Sequence, residues 1–182
     1  MDIKQSNRQK IKEDMRIFAL RDGSELNLKV AFRLFFLTGG FQFVFCRRVQ
    51  DMVCKIPVIG RPIRRVLWWM TCMIFGSEIA IDATVGGGLY IPHPYGIVLG
   101  AATIGRNVTI LQHVTIGRRA RGETADPVIE DGAYLAAGAV IIGSIVVGEN
   151  ARVGANSVLL QDLPAGATAV GIPAVIKLPQ AG

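Results

Sequence analysis

The sequence predicts a parallel β-solenoid behind an α-helical N-terminal domain. Two observations predict it: a strict six-residue period in the C-terminal half, and a Gly/Pro-punctuated N-terminal region that lacks the period. Ile129, Leu135, Ile141, Val147, Val153 and Leu159 recur every six residues. The fourth residue after each of the first five is small or β-branched: Ala133, Ala139, Ile145, Ala151 and Ser157. This period matches neither a helix nor the two-residue alternation of a strand. It is the repeat of a coil in which each unit forms one flat face. Three faces close a triangular coil of about 18 residues, so residues one coil apart stack at about 4.8 Å.

Upstream, Ile79, Val85 and Ile91 keep the period. It slips by one residue at His93-Pro94-Tyr95-Gly96, and Val98, Ile104, Ile110 and Ile116 form the next block. These leading aliphatics are expected to point inward. Small residues suit the corners, where Gly or Asn adopts positive φ at low cost. The period breaks again over 118–127. The run Arg118-Arg119-Ala120-Arg121-Gly122-Glu123 is too charged for a buried face, so 118–127 is expected to leave the coil as a loop. Residues 1–77 are read as the helical domain: a helix over 1–20, helical chain over 26–54 broken near Gly39-Gly40, a turn at Pro57, Gly60 and Pro62, and a helix over 63–75. The solenoid spans 78–163 and a C-terminal tail spans 164–182.

Charge is unevenly placed. The net charge is +6, of which residues 1–78 contribute +7 and residues 79–182 contribute −1. Solvated helix faces explain the excess most simply. Attraction to an anionic membrane surface is the second reading, because 61–70 has the basic and aromatic mix of an interfacial helix. Nucleic acid is the weakest partner, since no binding module or basic-aromatic groove is visible, and none is expected. No stretch reaches the ~20 apolar residues of a membrane-spanning helix. Residues 1–13 lack the apolar segment of a signal peptide. The expectation is a cytoplasmic chain, with peripheral contact at the inner membrane face left open. Cys46, Cys54 and Cys72 lack zinc-site spacing and read as reduced, buried thiols; no metal is expected.

The chain has two histidines, His93 and His113. Histidine is the side chain best suited to proton transfer near neutral pH. His113 sits at the third place of a regular unit, where a corner or surface residue is expected. His93 sits at the phase slip between Pro92 and Pro94, where the chain departs from its own repeat, and is the favoured catalytic base.

The motifs run in a recognisable order: His93-x-x-Gly96-Ile97-Val98, then Thr109-Ile110-Leu111-Gln112-x-Val114-Thr115-Ile116-Gly117, then Ala136-Ala137-Gly138-Ala139, and last Gly171-Ile172-Pro173-Ala174. Over 78–176 the chain resembles the serine acetyltransferase branch of the hexapeptide-repeat acyltransferases, a branch that includes O-acetyltransferases of polysaccharide biosynthesis. A weaker likeness runs through Arg21-Asp22 and Gly40-Phe41. The resemblance implies a left-handed parallel β-helix, a homotrimer with active sites between subunits, and acetyl-CoA as co-substrate. It implies His93 as general base, with Glu78 in the place of the family's orienting Asp. It implies acetyl-CoA contacts from Gly117, Ala137 and Ala155, and from the tail through Gly171, Pro173 and Lys177. On the acceptor side it points to Asp22; His113 and Asp126 are further acceptor-side candidates read from this sequence itself.

Departures from the family pattern fall on the acceptor side. Pro92-His93 stands where the family carries Asp-His, and Ala125-Asp126-Pro127 where it carries Arg-His-Pro. Loss of an Arg removes a charge-assisted grip on a carboxylate, and Asp126 would repel one. The sequence therefore leans towards a neutral small-molecule or sugar hydroxyl, such as one on a surface polysaccharide or its precursor. L-Serine, the acceptor of cysteine biosynthesis, is the first alternative. A non-catalytic solenoid scaffold is the second.

Overall fold

The computed structural model describes residues 5–119 and 125–178. The parts of the expected first helix, loop and tail at 1–4, 120–124 and 179–182 lie outside the described residues. Four helices precede the solenoid: α1 (Asn7–Arg21), α2 (Leu28–Leu37), α3 (Gly39–Val53) and α4 (Gly60–Phe75). Ser6 and Gln9 cap α1 reciprocally: the Gln9 amide donates to Ser6 Oγ, and the Ser6 amide donates to the Gln9 side chain. Asn27 caps α2 by accepting from the Val30 amide. The break expected near Gly39-Gly40 falls at Thr38, which is extended between α2 and α3. α4 begins at Gly60 rather than 63, because Pro62 is tolerated in a first turn. Gly76, left-handed at φ 58°, ends it. No single described helix is long and apolar enough to cross a membrane, and α2 and α3 meet at a bend of 85°.

The solenoid is a left-handed parallel β-helix of three sheets. The first holds β1 (Glu78–Ile79), β3 (Val98–Leu99), β6 (Thr115–Gly117), β9 (Val140–Ile142) and β12 (Val158–Leu159). The second holds β2 (Thr84–Val85), β4 (Thr103–Ile104), β7 (Val128–Ile129) and β10 (Val146–Val147). The third holds β5 (Thr109–Ile110), β8 (Tyr134–Leu135), β11 (Arg152–Val153) and β13 (Thr168–Val170). β14 (Val175–Lys177) folds back antiparallel on β13, so the tail continues the coil and covers its far end.

From Ile129 to Leu159 all six leading aliphatics are buried, and so are the five small or β-branched residues between them. One inward assignment is corrected. Val98 points outward and is 44% exposed, whereas Leu99 is fully buried and pairs in register with Ile79 and Ile116. The stretch from Leu99 to Ile104 is one residue shorter than that from Ile79 to Val85. The corner absorbs the difference, and the six-residue spacing from Val98 is incidental. The cysteines are free and half-buried rather than buried.

The N-terminal domain caps the open edge of the first coil. β1 and β2 donate their amides to the next coil, as in Glu78 N–H to Ile97 O and Thr84 N–H to Ala102 O. Their carbonyls face the helices, where unsatisfied oxygens would be costly. Trp68 donates to Ile79 O, Arg47 to Ala80 O and Ala83 O, Arg64 to Ile81 O, Lys10 to Val85 O, and Arg48 to Val85 O and Gly86 O. Asp14 holds the buried Arg48 guanidinium through two bonds of 2.8 and 3.1 Å, and Asp51 pairs with Arg47 and Arg64. Much of the basic excess is thus turned inward onto backbone oxygens, a use none of the three charge readings includes.

Candidate active site

The coil turns from the third sheet to the first at 92–97, 111–114, 136–139 and 154–157. These corners stack directly: His113 N–H donates to Tyr95 O, Gly138 N–H to Gln112 O and Asn156 N–H to Ala137 O, each at 2.9 Å. His93, His113, Ala137 and Ala155 therefore occupy one edge of the solenoid in successive coils. The registers Tyr134↔Arg152 and Val140↔Val158 bring Ala137 and Ala155 into step.

His93 is exposed on an enlarged corner whose backbone is pinned from below. The buried Ser77 hydroxyl donates to Pro94 O (2.9 Å) and accepts from Ile97 N–H (3.1 Å). Gly96 N–H donates to Gly76 O, and Tyr95 N–H to His93 O. On the neighbouring side, a Cβ on Gly40 would collide with the carbonyl oxygen of Ile91, so only glycine lets α3 abut the approach to this corner. Ser77→Ala leaves Pro94 O and Ile97 N–H without their buried partner. The expected cost is about 1–3 kcal/mol, read as a lower Tm with faster exchange of the Ile97 amide.

Glu78 opens β1, half-buried, and pairs with Val98 on the coil that carries His93. Among the described residues no hydrogen bond joins Glu78 to His93. Its charge bears on Cys72 of α4: burial pushes the Cys72 thiol up, and the Glu78 carboxylate pushes it further. Gly117 ends β6, and a Cβ there would meet open space. Ala137 is half-buried and Ala155 exposed. Gly171 is bound beside the last of these corners: its amide donates to Ser157 Oγ, and its carbonyl accepts from Val158 N–H, both at 3.0 Å. Pro173 and Lys177 are exposed, and Lys177 lies opposite Thr168 on the third sheet.

The acceptor candidates are more scattered. Asp22 ends α1 and pairs with Arg33 at 2.8 Å. It also lies near Tyr90, three residues before His93. Burial raises the Tyr90 phenol and the Asp22 charge adds to it, while the Arg21 guanidinium sits 5.7 Å from the ring centre. Asp126 is not a bare negative charge: Arg118 Nε donates to it at 2.6 Å. This corrects the expected repulsion of a carboxylate, because the pair neutralises itself. No hydrogen bond links Asp22 or Asp126 to His93 within the described chain. Ser77 and Tyr95 hold the His93 corner, and Arg118 holds Asp126; none of these contacts was singled out from the sequence. The Arg118 charge was visible there, but its partner eight residues away across a loop was not.

Comparison with known proteins fits this layout. The family model for bacterial transferase hexapeptide (six repeats) matches residues 126–161. A serine acetyltransferase of Synechococcus elongatus is 35% identical over 164 residues, covering 88% of this chain and 64% of that one. One from Helicobacter pylori is 42% identical over 140 residues, covering 76% of this chain and 81% of that one. The soybean serine acetyltransferase complexed with serine superposes with a TM-score of 0.82 at 36% identity, covering 94% of this chain and 70% of that one. A serine acetyltransferase in complex with CoA gives 0.81 at 31% identity, with coverages of 94% and 70%. The chain spans a little under two thirds of some of these relatives, such as the Synechococcus protein. With the six-residue coil, the cornered His93 and these likenesses together, the chain belongs to the serine acetyltransferase family of hexapeptide-repeat transferases.

Proposed function

We propose that the chain is an acetyl-CoA-dependent serine O-acetyltransferase with His93 as general base. The observation that carries this reading is the shared edge: an exposed, backbone-pinned His93 in line with the stacked small residues Ala137 and Ala155. A hydroxyl is almost wholly protonated at neutral pH, so a positioned base is needed. The His93 imidazole takes the hydroxyl proton as the oxygen attacks the thioester carbonyl. The C–O bond forms, the C–S bond breaks, and the imidazolium returns the proton to the departing thiolate. Glu78 acts as a positioning residue that steadies the imidazolium once substrates draw the pair together.

Small side chains at Gly117, Ala137 and Ala155 leave backbone accessible to a pantetheine arm. Gly171 and Pro173 would flank its far end, and Lys177 would meet a phosphate. Exposure of His93 and Ala155 in the single chain suits a site completed by a neighbouring subunit, as a homotrimer would provide. Peripheral membrane contact gains no support from the relatives, and Lys10, Arg47, Arg48 and Arg64 are engaged internally.

The relatives favour L-serine over a polysaccharide sugar, and the Arg118–Asp126 pair removes the charge objection to it. A neutral hydroxyl remains the second reading, because Pro92 and Ala125 offer no polar side chain to an amino acid. The test is kcat/KM for L-serine against serinol and a monosaccharide, with acetyl-CoA as donor. L-Serine is expected to lead by at least about a hundredfold. A neutral alcohol that matches it would overturn the serine reading and leave the chemistry at His93 intact.

A further inference from the structure

Left-handed corner residues recur in two columns. One runs Gly88, Asn107, Gly132, Asn150 and Gly166; the other runs Gly96, His113, Gly138 and Asn156. Every non-glycine member is asparagine except His113, at φ 60°. The pairs share one geometry. Gly88 lies against Oδ1 of Asn107, Gly132 against Oδ1 of Asn150, and Gly138 against Oδ1 of Asn156, each so closely that a Cβ on the glycine would collide with that oxygen. On Gly96 the atom in that place is Nδ1 of His113. His113 is thus an asparagine surrogate: Nδ1 takes the place that Oδ1 takes in the other coils. The ring adds one polar atom that no other corner has, Nε2. His113 is exposed, one coil from His93, and no described hydrogen bond engages its ring.

A residue held in a conformation suited to glycine or asparagine, where either would serve the fold, points to function. We infer that His113 is an acceptor-binding residue whose Nε2–H donates to the carboxylate of L-serine held at His93. It supplies the grip that Ala125 and the self-paired Asp126 do not. The inference rests on the serine reading of the site.

His113→Asn is the discriminating variant, since Asn156 shows that asparagine fits this column; His113→Gly is the second, since Gly138 shows the same for glycine. Calorimetry of L-serine and acetyl-CoA binding, beside thermal melts, separates the roles. Both variants are expected to keep the wild-type Tm and acetyl-CoA affinity while L-serine affinity falls about tenfold or more, as for loss of one charge-assisted hydrogen bond. Serinol affinity, which involves no carboxylate, is expected to be unchanged. Unaltered L-serine affinity in either variant, or a loss shared equally by serinol or by acetyl-CoA, overturns the inference. Thiol release is read separately: wild-type protein that binds L-serine through His113 yet releases no thiol refutes the transfer reading and not this one.

Discussion

Replacing Arg48 with methionine lowers the unfolding free energy by about 3–5 kcal/mol and the Tm by on the order of 10 °C. The guanidinium is fully buried and makes four bonds, two to Asp14 and two to the carbonyls of Val85 and Gly86. Methionine fills similar volume but strands the Asp14 carboxylate and loosens two edge carbonyls at once. A stranded buried charge costs far more than a lost surface pair. Arg48→Lys recovers only part of the loss, because an ammonium cannot span the carboxylate and both carbonyls. A solenoid depends on its ends being capped, so the defect spreads into the coil that presents His93. Urea denaturation of both variants beside wild type checks the order. A loss below about 1 kcal/mol for Arg48→Met would mean that the helical domain is not the cap.

His93→Ala is expected to reduce kcat for acetyl transfer by about a hundredfold to ten-thousandfold, the usual worth of a general base. The side chain is exposed and bears no structural hydrogen bond among the described residues, so Tm and acetyl-CoA affinity should stay at wild-type values. Steady-state rates of thiol release, with calorimetry for acetyl-CoA, separate lost chemistry from lost binding. Transfer that persists near the wild-type rate would remove His93 from the mechanism.

The six-residue period made the solenoid legible because each inward aliphatic answers to the same local geometry in every coil. The slip at His93 was legible for the same reason: a regular repeat makes its own interruption visible. Leu99 was missed because a shortened corner mimics the six-residue spacing from the wrong neighbour, Val98. The edge cap was invisible because Lys10, Arg47 and Arg48 meet carbonyls 33 to 75 residues away. No periodicity encodes such contacts, and the same charges read equally well as a solvated face. His113 was legible as a corner residue and an acceptor-side candidate, but its pairing with Gly96, beside three glycine–asparagine pairs of the same kind, emerged only from the register. Asp126 was misjudged because a loop carboxylate reveals its charge in sequence but not its partner.

Catalysis by this chain, rather than a scaffold role for its solenoid, is decided most directly by incubating the wild-type protein with acetyl-CoA and L-serine. Thiol release is followed, and the acetylated product is identified by mass spectrometry. The structure predicts continuous release of free CoA matched by O-acetylserine, with no release when L-serine is withheld. Acetyl-CoA that stays intact with L-serine, and equally with serinol and sugars, would contradict it and leave the solenoid a scaffold.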